Sequence, residues 1–142
     1  MKVSVILPVH NGERYLADAL QSVLEQTRPP DQIVVVDDGS IDRSAQIIKG
    51  FGAAFEVIYL FQEKKGPAAA RNSGLERATG DLVAFLDCDD LWAPGHLEQA
   101  LTVLLDREVD LTQGLIVQTR LDGDSFVFQR GHLSKKKIKM CF

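Results

Sequence analysis

Three carboxylates follow one apolar segment closely, and their type and spacing suit metal chemistry. Residues 82–90 read Leu-Val-Ala-Phe-Leu-Asp-Cys-Asp-Asp, so Asp87, Asp89 and Asp90 come at the end of a predicted buried strand. Carboxylates this close repel one another and lose hydration unless a cation or a donor neutralises them. Hard oxygen ligands suit Mg²⁺ or Mn²⁺, ions that commonly serve phosphate-bearing substrates. We predict a divalent-metal site here, and the alternative is an acidic loop that caps the helix after Pro94.

A second acidic pair follows another apolar segment. Residues 33–36 are β-branched and lead into Asp37-Asp38-Gly39-Ser40. One of these carboxylates could accept a hydrogen bond from a ring N–H or a ribose hydroxyl, while Gly39 permits a close backbone approach. The same residue types also form turns and cap helices, so a purely structural role is the alternative.

Two further groups carry polar side chains that could reach a ligand. Arg71, within Ala70-Arg71-Asn72-Ser73-Gly74, could place a cation against a diphosphate, although an exposed arginine in a helix is also common. His10 and Asn11 follow the first predicted strand. His10 could touch a ligand or be solvated, and Asn11 is predicted to cap the next helix.

Strands that alternate with helices must position these residues. We predict strands at 3–8, 33–36, 57–61 and 82–86, each followed by a helix, and a hairpin within 115–128. This order predicts an α/β fold with a mostly parallel, twisted sheet flanked by helices. The carboxyl ends of parallel strands share one edge, where ligands of such folds bind. Both acidic clusters should therefore line one rim.

Composition and charge exclude several classes of function. The chain has 142 residues, 45% of them apolar, which suits a single globular domain. Its net charge of −4 argues against a nucleic-acid backbone as partner. The two cysteines have no metal-ligand or disulfide spacing, which favours a reducing compartment. No apolar stretch approaches the length of a membrane-spanning helix.

Four ordered motifs resemble those of family 2 glycosyltransferases with the GT-A fold. They are Val3-Ser4-Val5-Ile6-Leu7-Pro8-Val9-His10-Asn11, Val35-Val36-Asp37-Asp38-Gly39-Ser40, Ala70-Arg71-Asn72-Ser73-Gly74 and Phe85-Leu86-Asp87-Cys88-Asp89-Asp90. The resemblance implies a Rossmann-like domain over residues 1–130 that binds a nucleotide sugar, truncated relative to the family. The lysine-rich residues 131–142 are predicted to form a frayed basic tail. The resemblance also implies an enzyme that moves a sugar from a nucleotide diphosphate, UDP being favoured, to an acceptor hydroxyl with inversion.

The resemblance also assigns roles by position. Asp38 would bind the uracil ring, while Asp87 and Asp89 would form the DxD motif that touches ribose and metal. Asp90 would be a direct ligand of Mn²⁺ or Mg²⁺. The whole nucleotide-sugar-binding set would be Pro8, Val9, Asn11, Asp37, Asp38, Arg71, Asp87 and Asp89, with Pro8 and Val9 bordering the base and Arg71 near the nucleotide.

The catalytic base is not assigned. In this family it is a carboxylate in the C-terminal half, and the sequence ends at Phe142, so a domain that binds nucleotide sugar without turnover is an alternative expectation. A receiver-like signalling domain fits less well, because the acidic pair follows the second strand instead of the first. The resemblance does not identify the acceptor, which could be a saccharide, a lipid-linked molecule or a protein. It also does not say whether the chain forms a homo-oligomer. The cysteine usage favours a cytoplasmic location, and the lysines of residues 135–139 leave contact with the inner face of the membrane open.

Overall fold

The main sheet has six strands, and all of its strand pairs are parallel. The computed structural model describes residues 1–52 and 56–106 and the strand segments 111–112, 116–119, 126–129 and 140–141. The strands of this sheet are β1 (Val3–Val9), β2 (Gln32–Asp38), β3 (Val57–Gln62), β4 (Leu82–Phe85), β5 (Leu111–Thr112) and, as the last strand of the chain, β8 (Met140–Cys141). Their order is β3-β2-β1-β4-β8-β5. The remaining two strands, β6 (Ile116–Thr119) and β7 (Phe126–Gln129), pair antiparallel as a separate hairpin.

Helices cover both faces of the sheet, which explains why the central strands are apolar without alternation. The helices are α1 (Leu16–Leu24), α2 (Ser44–Gly52), α3 (Pro67–Leu75) and α4 (His96–Asp106). Leu20, Ile48 and Leu97 bring α1, α2 and α4 into one core with Val5 and Val35. Burial on both faces therefore selects continuous β-branched sequence in β1 and β2.

Helix α3 packs on the opposite face of the sheet. Ala70 joins Ile6, Val34 and Phe85 in the second core cluster. At Gly74 a Cβ atom would lie 2.5 Å from Cγ2 of Ile6, a distance that real Cβ atoms do not show. Glycine here lets the helix sit directly on the sheet, and this close packing fixes where Arg71 emerges.

The order of the strands places a switch point between β1 and β4. From β1 the chain moves outward through β2 to β3, and α3 then crosses the other face so that β4 pairs with the opposite side of β1. In open α/β sheets the loops beside such a reversal diverge and leave a crevice at the carboxyl ends of the strands. Strand β4 pairs with β1 only as far as Ile6, and Pro8 beyond it has no N–H to donate.

The predicted α/β fold, its parallel sheet and the hairpin are confirmed, with some differences in detail. Asn11 was expected to cap α1, but that helix begins at Leu16 and Asn11 adopts a φ of 53° in the preceding loop. Of the expected frayed tail, the structure describes only Met140–Cys141, which form a strand between β4 and β5. Within the described residues, no helix has the length and apolar character needed to cross a membrane.

Candidate functional site

The loops that follow β1 and β4 meet at the switch point. A Cβ atom on Gly12 would lie 3.2 Å from Sγ of Cys88, so glycine lets the two loops close on each other. Burial raises the pKa of the Cys88 thiol, and the nearby Asp89 and Asp87 carboxylates add to this effect. A protonated, packed thiol is a filler between the loops rather than a nucleophile. The contact brings the acidic residues after β4 beside the end of β1.

Both carboxylate oxygens of Asp37 accept hydrogen bonds from within the protein. Its Oδ1 accepts a hydrogen bond from the backbone N–H of Ser40 at 2.8 Å, and its Oδ2 accepts one from the Tyr59 hydroxyl at 3.0 Å. Burial raises the pKa of Tyr59 to about 12, and the hydrogen bond to the Asp37 carboxylate and its charge act in the same direction. Asp37 therefore forms the turn after β2 and ties it to β3.

Asp38 is buried and holds the loop between β3 and α3. Its Oδ1 accepts from Nε2 of Gln62 at 2.6 Å and from the backbone N–H of Lys65 at 2.7 Å, while its Oδ2 accepts from the N–H of Gly66 at 2.8 Å. Burial by itself raises the pKa of this carboxyl, but the hydrogen bonds from Lys65, Gln62 and Gly66 outweigh it and hold the pKa below its usual value. Because a carboxylate offers about four acceptor positions, one remains on Oδ2.

Gln62 extends this arrangement to α3, and sequence reasoning missed it. Its Oε1 accepts a hydrogen bond from the Ser73 hydroxyl at 2.7 Å while its Nε2 donates to Asp38. The signal was available, since Gln62 is the polar residue that ends an apolar strand at the same rim. The amide therefore couples the orientation of the Asp38 carboxylate to helix α3.

His10 and Lys64 connect the loop after β1 to the loop after β3. Nδ1 of His10 lies 2.8 Å from the carbonyl oxygen of Asp38, so Nδ1 must carry the proton. Nε2 of His10 then accepts from Nζ of Lys64, at 2.9 Å. This neutral tautomer places the lysine ammonium at the rim.

Asn11 joins the loops after β1 and β2. Its Oδ1 accepts from the N–H of Ile41 and its own N–H donates to Oγ of Ser40, both at 2.9 Å. Pro8 and Val9 are buried within β1, and the Val9 side chain belongs to the core on the α1 side. Pro8, Val9 and Asn11 thus lie at the predicted rim, where Asn11 is exposed.

The acidic loop, residues 87–90, differs from these turns. Asp87 forms an ion pair through Oδ1 with the guanidinium of Arg71, whose Nε is buried and has no hydrogen-bond partner in the described structure. The N–H of Asp90 donates to the carbonyl of Asp87 at 3.0 Å and closes a turn that leaves Asp89 and Asp90 exposed. Although Asp90 is exposed, the loss of part of its hydration raises the pKa of its carboxyl, and repulsion from Asp89 and Asp87 raises it further.

The donor set fits a divalent cation only in part. Within the described residues no group of three His, Cys, Asp or Glu side chains is arranged to hold a metal ion, so Asp87, Asp89 and Asp90 are not a preformed cluster. Arg71 already neutralises Asp87. However, Mg²⁺ sites that serve phosphates commonly use one or two carboxylates and take further oxygens from the substrate. Asp89 and Asp90 fit a site of that kind.

Contacts with α1 and α4 anchor the segment that follows the acidic loop. Gln26, which is buried, donates from Nε2 to the carbonyl of Ala93 at 2.8 Å and accepts the N–H of Leu97 at 3.0 Å. Trp92 packs against the main core and stacks on His96 with ring centroids 4.7 Å apart. Gln26, which sequence reasoning also missed, thus holds the loop that presents Asp89.

The later acidic residues Glu108, Asp110, Asp122 and Asp124 lie outside the described residues.

Several known proteins are similar to this chain in sequence and in fold. The family model described as "Glycosyl transferase family 2" matches residues 4–141. A protein of Haemophilus influenzae named as an uncharacterized glycosyltransferase is 39% identical over 124 residues, which are 86% of this chain and 50% of that protein. The chain therefore spans half the length of this relative.

Two solved structures share the fold and are at least 30% identical to this chain in sequence. TarS of S. aureus (residues 1–349, in complex with UDP) is 32% identical with a TM-score of 0.74, covering 82% of this chain and 36% of that one. The mannosyltransferase PcManGT of Pyrobaculum calidifontis, solved with GDP-Man and Mn²⁺, is 30% identical with a TM-score of 0.73, covering 80% and 35%. Given the match over nearly its whole length, this chain belongs to glycosyl transferase family 2.

Proposed function

We propose that this chain forms the donor-binding part of a glycosyltransferase that uses a nucleotide diphosphate sugar, with UDP as the nucleotide. The sugar would pass to an acceptor hydroxyl with inversion at the anomeric carbon. Support comes from the family, whose relatives are named as glycosyltransferases, and from TarS and PcManGT, which were solved with UDP and with GDP-Man. We place the activity in the cytoplasm.

One observation carries this proposal: the Arg71–Asp87 pair lies beside two exposed carboxylates at the switch point. The diphosphate of the donor is an anion, so carboxylates alone would repel it. Arg71 brings one positive charge, and its buried Nε still has a proton to donate. We propose that Arg71 orients Asp87 toward the ribose while Asp89 and Asp90 face the diphosphate through a divalent cation.

Asp89 and Asp90 are the residues proposed to hold Mn²⁺ or Mg²⁺. When bound, such an ion neutralises the charge that develops on the departing diphosphate. Partial desolvation raises the pKa of Asp90, and repulsion from Asp89 and Asp87 raises it further; a cation at this position would relieve that repulsion. Asp87 would take part as a ribose contact rather than as a third preformed ligand.

The nucleoside is proposed to lie along the ends of β1 and β2. Asp38 has one acceptor position left on Oδ2, which suits the ring N–H of uracil. Pro8 and Val9 would border the base through their backbone, and Asn11 and Asp37 would keep the two turns in place. Because Asp38 is 3% exposed, we expect the loop that carries Lys65 and Gly66 to shift when a base binds.

Titration calorimetry of the chain with UDP and with GDP, each with Mn²⁺ or with a chelator, tests the binding. We expect UDP to bind in Mn²⁺, and to bind much more weakly in chelator. Absence of Mn²⁺-dependent binding of either nucleotide would contradict the proposal. Preference for GDP would refute the assignment of uracil.

Release of UDP from UDP-sugars in the presence of Mn²⁺ tests the chemistry separately. Release that requires an acceptor would support transfer by the chain. Tight nucleotide binding without release would instead support the alternative of a domain that binds the donor without turnover.

A further inference from the structure

Strand β3 forms an outer edge of the main sheet. It pairs along its whole length with β2, and no strand in the described part of the chain pairs with its other side. In an extended strand every second residue directs its N–H and C=O away from the neighbouring strand. An edge of this kind is a template for pairing with another chain.

The sequence of β3 lacks the usual devices that protect an edge. Its six residues, Val-Ile-Tyr-Leu-Phe-Gln, include no charged side chain and no proline. Phe61 is 61% exposed, and the other residues of β3 are half-buried. A lysine, a proline or a bulge would normally blunt such a strand. Among the residues that the structure describes, this edge is therefore open and apolar.

We propose that β3 pairs antiparallel with β3 of a second copy of this chain, about a two-fold axis that joins two sheets into one. A two-fold axis at Leu60 would set Tyr59 opposite Phe61 of the other copy, an aromatic cross-strand pair of a favourable kind. The same axis sets Ile58 opposite Gln62. Because the strand carries no charge, self-pairing places no like charges opposite within it.

The charges at the two ends of β3 favour a second copy as the occupant. Glu56 precedes the strand, and Lys64 and Lys65 follow it after Glu63. Antiparallel pairing brings the start of one strand to the end of the other, so Glu56 of each copy approaches Lys65 of its mate, while Lys64 keeps its contact with His10. Two opposite-charge contacts arise from the symmetry.

The interface leaves the acidic loop of the candidate site uncovered. Strands β2 and β1 separate β3 from β4, so the acidic loop after β4 stays open in the dimer. Gln62 and the loop after β3 contact Asp38 and so belong to both regions. Dimerisation is nevertheless measured without nucleotide, so failure of this proposal and failure of the proposed function are distinguishable.

Sedimentation velocity over a concentration series tests the dimer, using the full chain and two lysine variants. Phe61→Lys puts a charge on the edge at a side chain that the fold leaves exposed. Ile41→Lys is the matched control, since Ile41 is 93% exposed and lies in the loop after β2. We expect the unmodified chain and Ile41→Lys to dimerise alike, and Phe61→Lys to dissociate with a constant raised by roughly tenfold or more.

Hydrogen exchange of the unmodified chain supplies a second readout that needs no variant. Amides in β3 should become more protected as the protein concentration rises, while those in β1 should not change. A chain that sediments as a single copy at every concentration would overturn the proposal. So would dimers that leave β3 exchange unchanged, or equal effects of the two lysine variants.

Discussion

The turn after β2 and the acidic loop after β4 contain similar residues but are built in opposite ways. In the turn, Asp37 and Asp38 accept five hydrogen bonds from the protein and are nearly fully buried. In the acidic loop, Asp89 and Asp90 are exposed, and partial desolvation together with repulsion from Asp89 raises the pKa of Asp90. The first pair stabilises the rim, whereas the second leaves negative charge for something outside the protein to neutralise. Similar acidic motifs can therefore serve two purposes in one site.

The largest effect on stability should come from Asp38. In Asp38→Asn an amide NH₂ replaces an oxygen that accepts backbone N–H groups, leaving buried donors without partners. We expect the free energy of unfolding to fall by about 3 kcal/mol. Urea unfolding measures this, and Asp89→Asn is the matched control, with a change within about 0.5 kcal/mol. Equal losses in the two variants would remove the distinction between the turn and the acidic loop.

The same contrast should depend on pH. Because the folded pKa of Asp38 is lowered, its contribution is present above the unfolded value of about 3.9 and is lost as pH falls through the folded pKa. The difference in unfolding free energy between the unmodified chain and Asp38→Asn should therefore shrink in acid. A difference that stays constant from neutral pH into strong acid would show that the charge of Asp38 is not what holds the loop.

A smaller loss is expected from Gly39→Ala. Gly39 has a φ of 71°, and a Cβ atom there would lie 2.9 Å from the backbone N of Lys64. The methyl group should separate the turn from the loop after β3 and cost about 2 kcal/mol in unfolding free energy. Gly50→Ala is the control, because nothing lies within 4 Å of its Cβ position in α2, and we expect it to stabilise slightly. A neutral Gly39→Ala would show that this approach is unimportant.

Tyr59→Phe removes one hydrogen bond to Asp37 and should cost about 1 kcal/mol. With a folded pKa of about 12, the phenol contributes stability that is complete below its unfolded pKa and is lost as pH rises through the folded value. Ultraviolet titration of the tyrosines should show one group ionising near that pH in the unmodified chain and none in Tyr59→Phe. A phenol that ionises normally would mean that this hydrogen bond is weak.

The smallest effect, and the one of opposite sign, should come from Asp90→Asn in chelator. Removing one carboxylate relieves repulsion with Asp89 and Asp87, so unfolding free energy should rise by up to about 0.5 kcal/mol. The gain should diminish at high salt, since the groups are exposed and screened. A loss of stability would mean that Asp90 is structural, like the carboxylates of the turn.

The sequence predicted which residues reach the rim better than it predicted what they do there. Apolar runs of strand length and their alternation with helices were sufficient to predict the parallel sheet. They also predicted that Asp38 and Asp87 lie at the carboxyl ends of its strands. The hydrogen bonds that join Asp38 to the loop after β3 could not be predicted, because they depend on where the backbone N–H groups of Lys65 and Gly66 lie. The Arg71–Asp87 ion pair likewise depends on the close packing of α3 against β1 at Gly74.

The central claim is that the acidic loop is the part of the rim that binds metal and diphosphate. Calorimetry with UDP and Mn²⁺ tests it on the unmodified chain, Asp89→Asn and Asp81→Asn, the last being a matched change at the opposite end of β4. We expect Asp89→Asn to weaken Mn²⁺-dependent UDP binding by roughly tenfold or more while Asp81→Asn leaves it unchanged. Circular dichroism should show that all three are folded. Binding by Asp89→Asn as tight as that of the unmodified chain would contradict the claim.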